Sequence, residues 1–137
     1  MSASDLAIGT DAVPSKGTTS PVAWSVYQRE NNLVVWKDTT LSIYSLFPTV
    51  TISWRLPTAK SQVTRVTYKY KQPVDRPTVD SASNTTHKVI GNIQYLLEVI
   101  VPQESTASER SAALRIFIQS LLDAQMLNAL KANYYPN

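Results

Sequence analysis

Residues 49–72, TVTISWRLPTAKSQVTRVTYKYKQ, read as two β-strands joined by a polar turn. In the first, Val50, Ile52 and Trp54 alternate with Thr51, Ser53 and Arg55. In the second, Val66, Tyr68 and Tyr70 alternate with Arg65, Thr67, Lys69 and Lys71. Side chains along a strand point by turns to the two faces of a sheet. Pairing the two strands as a hairpin therefore gives one apolar face and one face of hydroxyls and positive charge. The stretch calls for a two-faced antiparallel sheet. It also raises the question of what an acid-free cationic face is for.

Working outward, DLAIG (5–9) and PVAWSVY (21–27) alternate more weakly, and Pro14 and Gly17 punctuate the chain between them. They predict an N-terminal β-hairpin within residues 1–30. Arg29–Asn32 is a polar turn, followed by strand-like LVVWKD (33–38) and by TTLSIYSLF (39–47). Beyond the opening pair, QPVDRPTVDSASNTT (72–86) reads as a long loop, of the kind that is usually functional or mobile. HKVIGNIQYLLEVIVP (87–102) then returns to an extended, β-branched run closed by Pro102.

From Thr106 the period changes. Thr106 and Glu109 form a capping box, and no glycine or proline interrupts the chain from there to Pro136. The segment 106–135 predicts either one long helix or two broken near Asp123, with Lys131 suited to the negative pole at its end. The order is hairpin, antiparallel strands over 31–102, then C-terminal helix: a single α+β domain spanning 1–137. Over 111–123, Ser111, Arg115, Gln119 and Asp123 form a narrow polar stripe. A helix on one sheet needs an apolar arc of roughly 100°. Ala113, Leu114, Ile116, Phe117, Ile118, Leu121 and Leu122 exceed it. A partner subunit is the economical cover for them, so an obligate oligomer is expected.

The 137 residues are 43% hydrophobic and 17% charged, the balance of a folded domain, with a net charge of +3 whose placement matters more than its size. No cysteine is present, which excludes disulfides, thiolate zinc sites and cysteine nucleophiles. The N-terminus has neither a basic leader nor a long apolar run, so a cytosolic setting without a membrane span is expected. Catalysis is poorly served. His87 is the single histidine, and the carboxylates Asp75, Asp80, Glu98, Glu104, Glu109 and Asp123 show no acid–base pairing. Phosphate-loop glycine patterns and metal-ligand spacing are both missing. The expectation is no enzyme, no cofactor, no metal and no small-molecule substrate.

The cationic face suits RNA. Arg55, Arg65, Lys69 and Lys71 can neutralise phosphates, and Thr51, Ser53 and Thr67 can bond base edges or phosphate oxygens. A flat sheet fits splayed single-stranded or looped RNA better than a duplex groove. A merely solvated antiparallel face would also carry Thr and Lys. In GNIQYLLEVIV (91–101), Gln94, Leu96 and Glu98 share a phase that would continue this face. Glu98 repels phosphate there, yet can accept a hydrogen bond from a base amino group.

Four stretches in order, NNLVVWKD (31–38), TVTISWR (49–55), RVTYKYKQP (65–73) and STASERSAALRIFIQSLLDA (105–124), resemble the coat protein of the small single-stranded RNA bacteriophages, the leviviruses. The resemblance covers about residues 20–137. It implies an N-terminal hairpin, a five-stranded antiparallel sheet and two C-terminal helices. It further implies a homodimer whose sheets join edge to edge, each subunit's helices lying over the partner's sheet. Such dimers build an icosahedral shell, typically T=3, in the bacterial cytoplasm. The sheet faces the genomic RNA and grips a hairpin operator, which directs packaging and represses translation of the replicase.

The matched RNA-facing positions are Leu33, Thr51, Ser53, Arg55, Arg65, Thr67, Lys69, Gln94, Leu96 and Glu98. Thr51, Ser53, Thr67 and Lys69 correspond to an adenine pocket. Gln94 stands where the family has a stacking aromatic, and Leu96 where it has Asn or Asp. The loop at 72–86 matches the one around the shell's symmetry axes. Two other readings stay open: a dimeric RNA-binding translational repressor that never assembles, and a docking module that uses the helix.

Overall fold

The computed structural model describes residues 6–8 and 22–132. Strands β1 (Leu6–Ile8), β2 (Val22–Glu30), β3 (Leu33–Lys37), β4 (Thr49–Arg55), β5 (Val63–Asp75) and β8 (Val89–Pro102) lie side by side in that order. β1 and β2 pair antiparallel from Leu6 opposite Trp24 to Ile8 opposite Val22. The expected turn at Pro14 and Gly17 lies outside the described residues. β2, β3, β4, β5 and β8 are the expected five-stranded sheet, and β1 continues it along the outer edge of β2. The hairpin and the sheet are thus one ladder.

The opening hairpin forms in the register its alternation requires. Seven pairs join β4 to β5, from Thr49 opposite Lys71 to Arg55 opposite Arg65. Thr58 and Ser61 close the turn with reciprocal backbone bonds of 2.8 and 3.1 Å. On the apolar face Trp24, Val34, Trp36 and Val50 are buried, with Val26, Ile52, Trp54, Tyr68 and Tyr70 packed on them. Their cross-strand registry explains the burial: Val26 faces Trp36, Trp36 faces Val50, and Val50 faces Tyr70. Directly opposed aromatic and β-branched side chains are the favourable unit of sheet packing. The Tyr70 ring lies between Trp24, at 6.2 Å, and Tyr95, at 6.4 Å. Burial pushes the Tyr68 and Tyr70 phenols up from their ordinary value. The Tyr70 hydroxyl still finds a partner, donating to Gln72 Oε1 at 2.8 Å.

β5 and β8 run antiparallel. As contacts move along β5 from Arg65 to Asp75, they move back along β8 from Glu98 to Lys88. Residues 72–86, expected as a loop, are more ordered than their composition suggests. β5 continues to Asp75, and β6 (Thr78–Val79) pairs with β7 (Thr85–Thr86) as a short ribbon. Asp80 organises its tip: Oδ1 accepts the N–H groups of Ala82 and Asn84, both at 2.9 Å. The Asn84 backbone and side-chain bonds hold the Asp80 carboxyl below its ordinary pKa. Ser83 takes the left-handed conformation, φ 63°, that closes the turn. At the ribbon's base, His87 Nδ1 lies 2.6 Å from Asp75 Oδ2, while Asp75 Oδ1 accepts the Lys88 N–H at 3.1 Å. The lone histidine thus has a structural post.

In the C-terminal region, α1 spans Ala107–Leu121 and α2 spans Ala124–Ala132. The capping box is present in both directions. Thr106 Oγ1 accepts the Glu109 N–H at 3.2 Å, and Glu109 Oε2 accepts the Thr106 N–H at 2.8 Å. Arg110 ties the same turn by donating to the Ser105 carbonyl. The break falls at Leu122–Asp123, where Asp123 Oδ1 accepts the Gln125 N–H at 2.9 Å and so starts the second helix. None of the α1 residues is buried in the single chain.

Candidate nucleic-acid interface

The face opposite the core is built row by row from the registers of β3, β4 and β5. Leu33 stands opposite Ser53, and Ser53 opposite Thr67. Val35, Thr51 and Lys69 make the next row, and Lys37, Thr49 and Lys71 the one after. Beyond Ser53 on the other side, Arg55 faces Arg65 directly. Like charges opposed across strands repel, and a neighbour on β8 relieves this pair. Glu98 Oε1 lies 3.2 Å from Arg65 Nη1. Alternation in twos from Glu98 carries Leu96 and Gln94 onto the same face. The structure therefore brings Leu33, Thr51, Ser53, Arg55, Arg65, Thr67, Lys69, Gln94, Leu96 and Glu98 onto one surface.

A hollow opens in this surface, lined by Asn32, Ser53, Trp54, Arg55, Arg65, Thr67 and Glu98. The Asn32 carbonyl accepts the Trp54 N–H at 3.1 Å, which fixes the turn between β2 and β3 at its rim. Of the four residues expected to make an adenine pocket, Ser53 and Thr67 line the hollow. Thr51 and Lys69 form the adjoining row outside it. Ser and Thr hydroxyls donate and accept, a carboxylate accepts, and guanidinium donates. The hollow therefore offers both signs of hydrogen bond beside a fixed positive charge. Leu96 is the most exposed apolar side chain here, at 69%.

The face is not acid-free, as the hairpin alone suggests. Glu98 neutralises Arg65, and Glu30 stands opposite Leu33, where it accepts from Gln28 Nε2 at 2.6 Å. Both carboxylates lie toward the hollow end. At the other end, Lys37 and Lys71 flank Thr49, and two exposed tyrosines, Tyr27 and Tyr44, surround Lys37. Asn32, Lys37, Tyr27 and Tyr44 are among the residues of this surface that lie outside the set expected from sequence. Lys37 was within reach, because it shares the phase of Leu33 and Val35. So was Tyr27, two residues on from Ser25; the register shift between Val26 and Gln28 instead brings Gln28 and Glu30 onto this face.

With this geometry established, comparison with known proteins places the chain. Residues 10–135 match the family described as "Levivirus coat protein". The chain belongs to the levivirus coat protein family. Coat proteins of this family are structural proteins of the phage virion. No curated protein sequence matches the chain. Among solved structures, the coat protein is similar to the virus-like particle of Beihai levi-like virus 21, with 15% identity over 97% of this chain and 96% of that one and a TM-score of 0.78. The virus-like particle of bacteriophage ESE058 gives 12% identity over 98% and 99% and a TM-score of 0.77. The capsid protein of bacteriophage GA gives 14% identity over 87% and 89% and a TM-score of 0.67. At such identities the likeness is one of fold, retained while most side chains differ.

Proposed function

We propose that this coat protein pairs as a homodimer, assembles into an icosahedral shell around single-stranded genomic RNA, and holds that RNA on the hydroxyl-and-cation face. The observation that carries the reading is the row registry of that face: Ser53 beside Thr67, Thr51 beside Lys69, and Arg55 beside Arg65. Arg55, Lys69 and Lys71 supply phosphate attraction, which is strong but indifferent to sequence. The hollow supplies selection. Ser53, Thr67 and Glu98 present acceptors to a base with an exocyclic amino group, and Arg65 is held in place by Glu98. An unpaired base in an RNA hairpin is the ligand this fits, with packaging and repression of replicase translation as the consequences. The solved virus-like particles of similar fold support shell formation.

The test is the Arg65→Ala/Lys69→Ala chain, purified and examined for RNA content and binding across a salt series. Particles persist, RNA content falls, and the salt slope drops by roughly 0.7 for each phosphate that is no longer neutralised. Arg65→Ala has the larger effect of the two, because it also leaves the Glu98 charge unpaired toward phosphate. Unchanged RNA retention and slope would remove RNA from this face. Salt-dependent RNA binding by a dimer that forms no particle would favour the non-assembling repressor.

A further inference from the structure

Between Val26 and Gln28 the β2–β3 register slips by one residue. Ser25 faces Lys37 before the slip and Gln28 faces Val35 after it, both on the hydroxyl-and-cation face. Tyr27 is the extra residue. A bulge of this kind re-aims a side chain and is found beside functional sites. Here Tyr27 keeps the face of Ser25, two residues before it, and its ring lies beside Lys37, whose Nζ is 3.5 Å from the ring centroid. A short 3-10 turn, Tyr44–Leu46, brings a second aromatic to the same place. Tyr44 Oη lies 2.9 Å from Tyr27 Oη and accepts from Lys37 Nζ at 3.0 Å. Phe47 supports Tyr44 from 5.4 Å. Both tyrosines stay open to solvent, Tyr27 at 54% and Tyr44 at 62%. Two large rings are thus fixed by a cation and by each other, yet not buried.

The charge in contact with them is positive. Lys37 sits on the phenols, with Lys71 one residue beyond Thr49 across the sheet. Lys37 pulls the Tyr44 phenol down and opposes the rise at Tyr27 that the hydrogen bond between the two phenols causes. From the Ser53 row to the Thr49 row is four residues of strand, roughly 13 Å at about 3.3 Å per residue. Thr51 and Lys69 lie between.

We infer that Tyr27, Tyr44 and Lys37 form a second RNA station, in which an unpaired base stacks on the exposed tyrosine rings and its phosphate meets Lys37 and Lys71. The inference rests on the proposed function, since it continues a strand held in the hollow along the same face. Rings that are already ordered lose little freedom on stacking, and stacking tolerates any base. This station therefore adds affinity without choosing sequence, whereas the hollow chooses.

The probes are a labelled oligoadenylate and an abasic ribose-phosphate strand of equal length, titrated onto the full-length chain. The unmodified protein binds oligoadenylate more tightly than the abasic strand. Tyr27→Ala/Tyr44→Ala weakens oligoadenylate by about 5- to 100-fold and leaves the abasic strand unchanged, as removal of stacking requires. Tyr27→Phe/Tyr44→Phe keeps the preference, because the ring and not the hydroxyl carries it. Ultraviolet crosslinking of the unmodified chain to oligouridylate, read by mass spectrometry, attaches nucleotide at Tyr27 or Tyr44 and needs no variant to fold. Equal weakening on both strands, an unaffected oligoadenylate affinity, or crosslinks confined to the hollow would overturn the station. If Arg65→Ala/Lys69→Ala still weakens both strands in that case, the proposed function stands without it. If that variant changes nothing either, RNA binding on this face fails as a whole. Normal RNA affinity without particle formation in the alanine pair would reassign the tyrosines to a contact between subunits.

Discussion

β3 and β4 on one side, and β8 and α1 on the other, are equally apolar in sequence and opposite in burial. Val34, Trp36 and Val50 are at most 5% exposed, whereas Ile93, Ile100, Leu114 and Ile116 are between 48% and 65% exposed. The first pair finds its cover within the chain: alternating side chains lock across β2, β3, β4 and β5. Among the described residues, the second pair does not. β8 ends the sheet order, with no described strand beyond it, and its long edge is open to another strand. Exposed apolar surface on this scale marks an interaction site. The difference separates apolar surface that the chain covers itself from apolar surface that it leaves open.

Substitutions at matched positions break that comparison most sharply. Phe117→Asp puts a charge where the proposed partner covers α1, at a penalty on the order of several kcal/mol. Sedimentation and electron microscopy then find no particles. Particles of normal yield would mean that α1 stays exposed in the assembly. Trp36→Ala acts on the other side, emptying a site covered by the chain itself. It lowers unfolding stability by about 3–5 kcal/mol, read by denaturant titration. Val50→Ala, at the one fully buried side chain among the described residues, costs about 2–3 kcal/mol by the same measurement.

The helix start sharpens the comparison at smaller amplitude. Thr106→Ala removes the cap and costs about 1 kcal/mol. The Thr106 backbone N–H holds the Glu109 carboxyl below its ordinary value of 4.5. A depressed carboxylate stabilises the fold above the unfolded pKa and loses that contribution as pH falls through the folded one. The gap between Glu109→Ala and the unmodified chain therefore narrows in acid below that value. A gap that widened in acid would contradict the cap. Smallest of all, Ser83→Gly relieves the left-handed φ at the ribbon tip and changes thermal stability by less than about 1 kcal/mol.

Much of this was legible because the period-2 alternation and the capping box are local signals. Val50, Ile52 and Trp54 against Thr51, Ser53 and Arg55 set both faces and the register. Thr106 and Glu109 set the helix start, and the excess of apolar residues over 112–122 indicated missing cover. What stayed hidden depends on distant residues or on backbone irregularity. Glu98 meets Arg65 only once β8 is placed beside β5. Gln28 and Glu30 reach the cationic face only through a bulge that leaves no mark in composition. The ribbon at 78–86 depends on Asp80 gathering the backbone of Ala82 and Asn84, which a polar, proline-bearing stretch does not announce.

The most direct measurement is expression of the unmodified chain in bacteria, with purified material examined by size, electron microscopy and ultraviolet spectrum. Uniform closed particles that carry nuclease-protected RNA are the result expected of a coat protein whose cationic face lines the interior. Closed particles free of nucleic acid, or RNA-free dimers that never assemble, would contradict it.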